Sequence, residues 1–365
     1  MSSVAVLGGG AGGRACAAEL AAAGHRVRLW NRNAATVAEL CAAGGVYTRG
    51  VLGDGFTPLP LITTSLADAL RGADVAVVCL PALAHRALAD DLARLGCRVP
   101  LILNPGHTLG AVHVASRFAA YGGKRPSIAE LSTLTYVARA DGATVNITGR
   151  AGRVRAAALG IDTTALDFAR DLWPVCHTES DVLATGLANV NLVLHPPAAV
   201  LAAAWVEATA GRFAYYREAT TPAVTAVMTQ LDDERLTVAR ALGHELDALI
   251  DEMAAIGTVD AIPEAPTPAE RLRIAVATGR ANASITAPDS LHHRYYREDF
   301  AYGLAPLIEL AAVTGVAVPI AKSLFTLADC ALGGAASRDA LTLAAVRLTV
   351  RNGAELIDAV TNGAL

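Results

Sequence analysis

Residues 4–20 read Val4-Ala5-Val6-Leu7-Gly8-Gly9-Gly10-Ala11-Gly12-Gly13-Arg14-Ala15-Cys16-Ala17-Ala18-Glu19-Leu20, and this stretch decides the fold. The apolar run before Gly8 predicts a buried strand, and the alanine-rich run after Gly13 predicts a helix. Between them Gly8, Gly10 and Gly13 keep the GxGxxG spacing in the context it requires, directly after a strand and opening a helix. Gly8 permits a tight turn, Gly10 lets the backbone approach a pyrophosphate, and Gly13 lets the helix pack closely on the strand. The phosphates then lie at the positive end of the helix. The order predicts a dinucleotide-binding unit.

Outward from this loop, the second strand ends in Leu29-Trp30-Asn31-Arg32-Asn33. A site selective for NAD(H) places Asp or Glu there to accept hydrogen bonds from the ribose 2′-hydroxyl. Asn31 lacks that carboxylate and Arg32 offers a cation suited to a 2′-phosphate, so NADP(H) is preferred and NAD(H) is the second choice. Further apolar runs at Leu59–Ile62, Val75–Leu80 and Leu101–Leu103 alternate with helical stretches at Ala34–Ala43, Ser65–Arg71 and Leu83–Leu95. Such alternation predicts an α/β fold with a Rossmann-type, doubly wound parallel sheet. Leu80 and Pro81 would line the cofactor's path and Asn104 would border the nicotinamide, because ligands bind at the carboxyl edge of open α/β sheets. His107 follows in a turn, where a histidine is expected to be ordinary surface. Asp141-Gly142 predicts a hairpin closing an antiparallel edge of the sheet.

After Val175 the strand signals fade. Val182–Val193, Ala198–Thr209, Arg235–Ala255, Pro268–Ala277, Gly303–Thr314, Ile320–Leu332 and Ser337–Thr349 read as helices, so an all-α C-terminal domain follows the sheet. The expected division is 1–178 for the dinucleotide-binding domain and 179–365 for the helical domain. A length of 365 residues suits two domains, at roughly 100 to 200 residues each.

With 53% hydrophobic residues, 18% charged residues and a formal net charge of -4, neither a nucleic-acid surface nor a polybasic membrane patch is expected. Val182–Val206 carries no charged residue and is long enough to span a bilayer, but Asn189, Asn191, His195 and Pro196-Pro197 interrupt it, so buried helices are expected. The six cysteines lie far apart, without CxxC pairs or metal-ligand spacing. The N-terminus lacks a basic n-region and is not expected to be a signal peptide, and a cytoplasmic protein is expected. Small molecules are the expected partners. The apolar late segment Ala340–Val350 reads as helical and is a candidate homodimer surface or, equally, part of the core.

Two segments of the helical half carry the chemistry. In Asn189-Val190-Asn191-Leu192-Val193-Leu194-His195-Pro196-Pro197, a histidine is expected to end an apolar helix that the prolines cannot continue. Pro288–Asp299 is the densest mixture of ionisable and aromatic side chains in the chain. Reducing C=O or C=N with hydride calls for a proton donor near neutral pH, which suits histidine. A carboxylate on its other ring nitrogen would fix the tautomer, and arginine would clamp a substrate carboxylate. The nine histidines leave that choice open on these grounds.

The chain resembles the opine dehydrogenase family over nearly its full length. The resemblance rests on Gly8–Gly13, Asn104-Pro105-Gly106, Glu130–Tyr136, Asn191–His195-Pro196, and Arg294-Tyr295 through Glu298-Asp299 to Gly303-Leu304. It implies a Rossmann domain followed by an α-helical catalytic domain, with His195 as proton donor, Asp299 as its partner and Arg294 holding a substrate carboxylate. His292 and His293 are expected at the rim. The implied reaction condenses an amine, typically an L-amino acid, with a 2-oxo acid and reduces the imine to a secondary amine. The chain departs from the family where Thr135 stands in place of proline, where Pro196–Ala202 lacks an asparagine near its end, and where Phe300-Ala301 replaces Val-Pro. Rival readings are a reductase of a preformed or cyclic imine, a ketopantoate-like carbonyl reductase, and a non-catalytic NADP(H) sensor. A carbonyl reductase of that kind would need a lysine, and the chain has only Lys124 and Lys322.

Overall fold

The computed structural model describes residues 1–280 and 285–362. Its first strand, β1 (Ser3–Leu7), has Val4 through Leu7 fully buried, as befits a strand covered on both faces. The chain continues through β2 (Arg26–Trp30), β3 (Gly45–Gly50), β4 (Gly55–Pro58), β5 (Leu61–Thr63), β6 (Val75–Val78) and β7 (Leu101–Leu103). Then come β8 (Ile128–Leu131), β9 (Tyr136–Asp141), β10 (Thr144–Arg150), β11 (Val154–Ala158) and β12 (Cys176–Thr178).

The larger sheet has the order β12-β11-β8-β7-β6-β1-β2-β5 and is parallel except where β11 opposes β8. β1 pairs with β2 on one side and β6 on the other, so the strand order reverses beside it and opens the crevice where nucleotides bind. The register sets Leu7 opposite both Trp30 and Val78. Gly8, Asn31 and Cys79 therefore leave one edge together.

The Asp141-Gly142 turn does join a hairpin, but β9 and β10 do not extend the large sheet. They pair with β3 and β4 in a second sheet of order β4-β3-β10-β9. The short strands of this sheet carry threonine, glycine and arginine among their few apolar residues, so they lack the apolar runs that mark the parallel core.

In the helical half several expected boundaries move. His195 does not end a helix: Asn191–Leu201 is helical with Pro196 and Pro197 inside it, and the break lies earlier, at Ala188–Val190. The prolines sit in the second turn, where each removes one N–H donor without ending the helix. Pro222–Ala241 and Leu249–Ile256 are separate helices, because Gly243 at φ 82° caps the first. The run expected as a helix over Ser337–Thr349 is helical only at Ala335–Asp339. Beyond it Leu341, Leu343, Val346 and Leu348 turn into the core, with Arg347 at φ 60°, so Ala340–Val350 is neither a helix nor an exposed apolar face.

Among the described residues no single helix is long and apolar enough to cross a membrane; the charge-free stretch bends by 67° between Val182–Leu201 and Ala203–Thr209. A partly buried ion cluster joins the halves. Arg155 on β11 reaches Glu179 at 2.6 Å, Asp247 at 2.7 Å and Glu252 at 3.0 Å.

Candidate active site

The edge left by Leu7, Trp30, Val78 and Leu103 faces the helical half across a cleft of about 350 Å³. On the sheet side the glycines divide their work as the spacing predicts. A side chain at Gly8 (φ 132°) would put its Cβ 2.3 Å from the Cys79 carbonyl oxygen, and one at Gly13 would lie 1.8 Å from that of Gly8. A Cβ at Gly10 meets nothing within 4 Å, because it would project into the cleft. The helix Ala11–Ala22 opens at Gly10 with no side-chain cap and no acidic residue in its first turn. Its first N–H groups and positive end are thus free for a phosphate. This geometry fits a dinucleotide.

Leu80, Pro81 and Asn104 line the same cleft. The amide of Asn104 is engaged: its Nδ2 donates to Thr135 Oγ1 at 3.0 Å, and its Oδ1 accepts from Thr135 N at 3.1 Å. A proline at 135 could make neither bond, so the threonine departure creates this clasp. Asn31 Oδ1 accepts from Gly9 N at 3.2 Å, while Arg32 is exposed and, among the described residues, forms no ion pair.

On the helical side, packing explains how distant segments meet. A Cβ at Gly303 would lie 3.1 Å from that of Leu192, so the π-helical turn Phe300–Leu304 rests directly on helix Asn191–Leu201. One turn beyond Leu192 stands His195, and just before Phe300 stands Asp299. Their side chains meet at 2.7 Å between Nδ1 and Oδ2, both buried. A carboxylate only accepts, so Nδ1 carries the proton and Nε2 is left for exchange. That atom lies 2.8 Å from the Tyr216 hydroxyl, which lies 3.1 Å from the Tyr295 hydroxyl. Tyr295 stacks on the His195 ring at 3.9 Å, and Tyr215 donates to the His195 carbonyl at 3.2 Å. Burial pushes the Tyr216 phenol well above its ordinary range, with the neighbouring Tyr295 adding to the effect. The hydroxyl stays protonated and can donate to Nε2. Arg294 also lines the cleft, half-exposed, with Nε 3.9 Å from Glu298 Oε2.

His107 differs from expectation. It is buried, holds φ 63°, lines the cleft and lies 3.1 Å from Glu298 Oε1. Tyr215 and Tyr216 carried no expected role, and Glu298 was expected only as a structural ion-pair partner competing for Arg294. A local signal existed: Tyr-Tyr-Arg-Glu occurs at both 215–218 and 295–298, and its two copies supply the tyrosines around His195. His292 is exposed and His293 caps the short helix Arg294–Arg297, as rim residues do.

Comparison with known proteins places the fold and the family. The family described as NAD/NADP octopine/nopaline dehydrogenase, alpha-helical domain, matches residues 178–332, and the NAD-dependent glycerol-3-phosphate dehydrogenase N-terminus matches residues 3–103. An opine dehydrogenase from Arthrobacter sp. (strain 1C) is 30% identical over 335 residues, covering 88% of this chain and 89% of that one. The chain belongs to the opine dehydrogenase family. It is an NAD(P)-dependent oxidoreductase acting on CH–NH substrates. Two solved opine dehydrogenases share its fold. Octopine dehydrogenase with NADH and L-arginine has TM-score 0.73 at 20% identity, covering 100% of this chain and 98% of that one. Yersinopine dehydrogenase with NADP+ has TM-score 0.72 at 16% identity, covering 98% of each.

Proposed function

We propose that the protein is an NADP(H)-dependent opine dehydrogenase that reduces the imine formed between an amine, typically the amino group of an L-amino acid, and a 2-oxo acid. The observation that carries this reading is that His195, held by Asp299, faces the cleft that begins at Gly10. When bound, the nicotinamide supplies the hydride. Arg294 receives the carboxylate of the oxo acid through its guanidinium donors. Amine attack on the carbonyl gives a carbinolamine, and His195 Nε2 delivers the proton with which its hydroxyl leaves as water. Asp299 holds the ring in the required tautomer and balances the charge of the protonated imidazole. Leu194, Met253 and Ile256 give the cleft an apolar wall that limits water, which would otherwise hydrolyse the imine.

Preference for NADP(H) rests on Arg32, an exposed cation beside the expected ribose site, and on Asn31 in place of a carboxylate. Lys124 and Lys322 are both exposed and neither lines the cleft, which counts against a lysine-dependent carbonyl reductase. The test is NADPH and NADH oxidation over a matrix of amino acids and 2-oxo acids with single-substrate controls. Oxidation only when both substrates are present, faster with NADPH, is the expected result. Oxidation with the oxo acid alone makes the protein a carbonyl reductase and overturns the reading.

A further inference from the structure

Glu298 and Asp299 are consecutive in the chain, yet their carboxylates hold different histidines. Asp299 takes His195 from the helical half, and Glu298 takes His107 from the turn after β7. Glu298 is 3% exposed and has more than one neighbour. Its Oε1 accepts from Ala82 N at 2.5 Å and lies 3.1 Å from His107 Nε2, while its Oε2 lies 3.9 Å from Arg294 Nε. The contact to His107 is a close ion-pair distance, and the contact to Arg294 is longer than any hydrogen bond. His107 is thus the nearer counter-charge of this buried carboxylate, and Arg294 donates no hydrogen bond to it.

We propose that His107 is a positioning residue: by neutralising Glu298 it keeps the Arg294 guanidinium available to the carboxylate of the 2-oxo acid. This rests on the reading of Arg294 given above. Without a charged His107, Glu298 would compete with the substrate for Arg294.

The groups facing His107 are Glu298, Asp299 and Arg294 from the helical half, His85 from helix Ala82–Arg94 and Glu130 from β8. Burial opposes the imidazolium, but Glu298 and Asp299 outweigh burial and Arg294, and they raise its pKa above the ordinary histidine value. Burial likewise opposes the Glu298 carboxylate, yet His107 and Arg294 hold its pKa at about 2. His85, pushed down to about 3 by burial, is neutral and does not compete for Glu298. As pH rises through the His107 pKa, the imidazolium loses its proton and Glu298 turns to Arg294. Oxo-acid affinity should then fall.

The test compares KM for the 2-oxo acid, with pyruvate as first probe, at saturating NADPH and amine in wild type, H107N, E298Q, H107N/E298Q and R294Q. H107N should raise KM by about tenfold while kcat changes by less than about threefold, the split expected when ground-state binding is lost. The double variant should return KM to within about threefold of wild type, since removing the competitor cancels the loss of its partner. Wild-type KM should rise with pH, and KM of E298Q should not. The proposal fails if R294Q raises KM but H107N does not, or if E298Q raises KM as much as H107N and the double variant shows no recovery. Unchanged KM in R294Q would instead remove the reading of Arg294, and the proposal with it. Should H107N not fold, the pH profiles of wild type and E298Q decide alone.

Discussion

The glycine loop and the His195 cluster face each other across one cleft, and they are built by opposite means. The loop works through what is missing. Gly8 and Gly13 have no side chains because backbone atoms occupy the space, and Gly10 has none because the cleft does. The cluster works through what is present, a histidine fixed by Asp299, Tyr216 and Tyr295 in a packed and hydrogen-bonded nest. The difference teaches where tolerance should lie. A backbone-defined site fails when any atom is added, whereas a side-chain-defined site fails in steps as its partners are removed.

Substitutions on the two sides should therefore behave differently. The largest effect is expected at Gly13, where a Cβ 1.8 Å from the Gly8 carbonyl cannot be accommodated by rotating a side chain. G13A should lower Tm and abolish measurable NADPH binding by fluorescence titration, since overpacking of this kind costs about 1–3 kcal/mol or more. G10A should leave Tm nearly unchanged and weaken NADPH binding alone, because its Cβ meets no protein atom. Equal Tm losses in the two variants would contradict the division of labour. Next comes D299N, which keeps the shape but not the charge beside His195. It should lower kcat by ~10²-fold with cofactor Kd unchanged, within the range for acid–base groups. R32Q should then cut the NADPH-over-NADH preference in kcat/KM by about tenfold, the worth of one charge-assisted contact. The smallest effect belongs to Y216F. Losing one hydroxyl from Nε2 should reduce kcat by about fivefold, as expected for one hydrogen bond of about 1 kcal/mol.

The same contrast explains what could be read from the sequence. The loop is contiguous, and its residues act on neighbours fixed by the strand–turn–helix geometry, so Gly8, Gly10 and Gly13 were legible with their reasons. The helical character of the second half was legible too, but not its boundaries. Helix breaks at Gly243 and Ala188–Val190 depend on local backbone geometry rather than apolar period, and the buried run Leu341–Leu348 has helix-like composition without a helix. His195, Asp299 and Arg294 entered through resemblance to a family, because histidine chemistry alone could not choose among nine candidates. The environment of His195 was hidden for a different reason. Tyr216 and Tyr295 come from segments about 80 residues apart, joined only by tertiary packing. His107 looked like turn surface because its burial depends on Glu298, which arrives from the other half of the chain.

The central claim is that His195 is the proton donor of a site whose cofactor is held independently, by the glycine loop. Parallel measurement of kcat and NADPH Kd in H195N tests it most directly. In H195N kcat should fall by about 10²–10⁴-fold, the contribution typical of a general acid, while Kd stays within about threefold of wild type. Wild-type turnover in H195N, or a loss of NADPH binding that matches the loss of turnover, would contradict it.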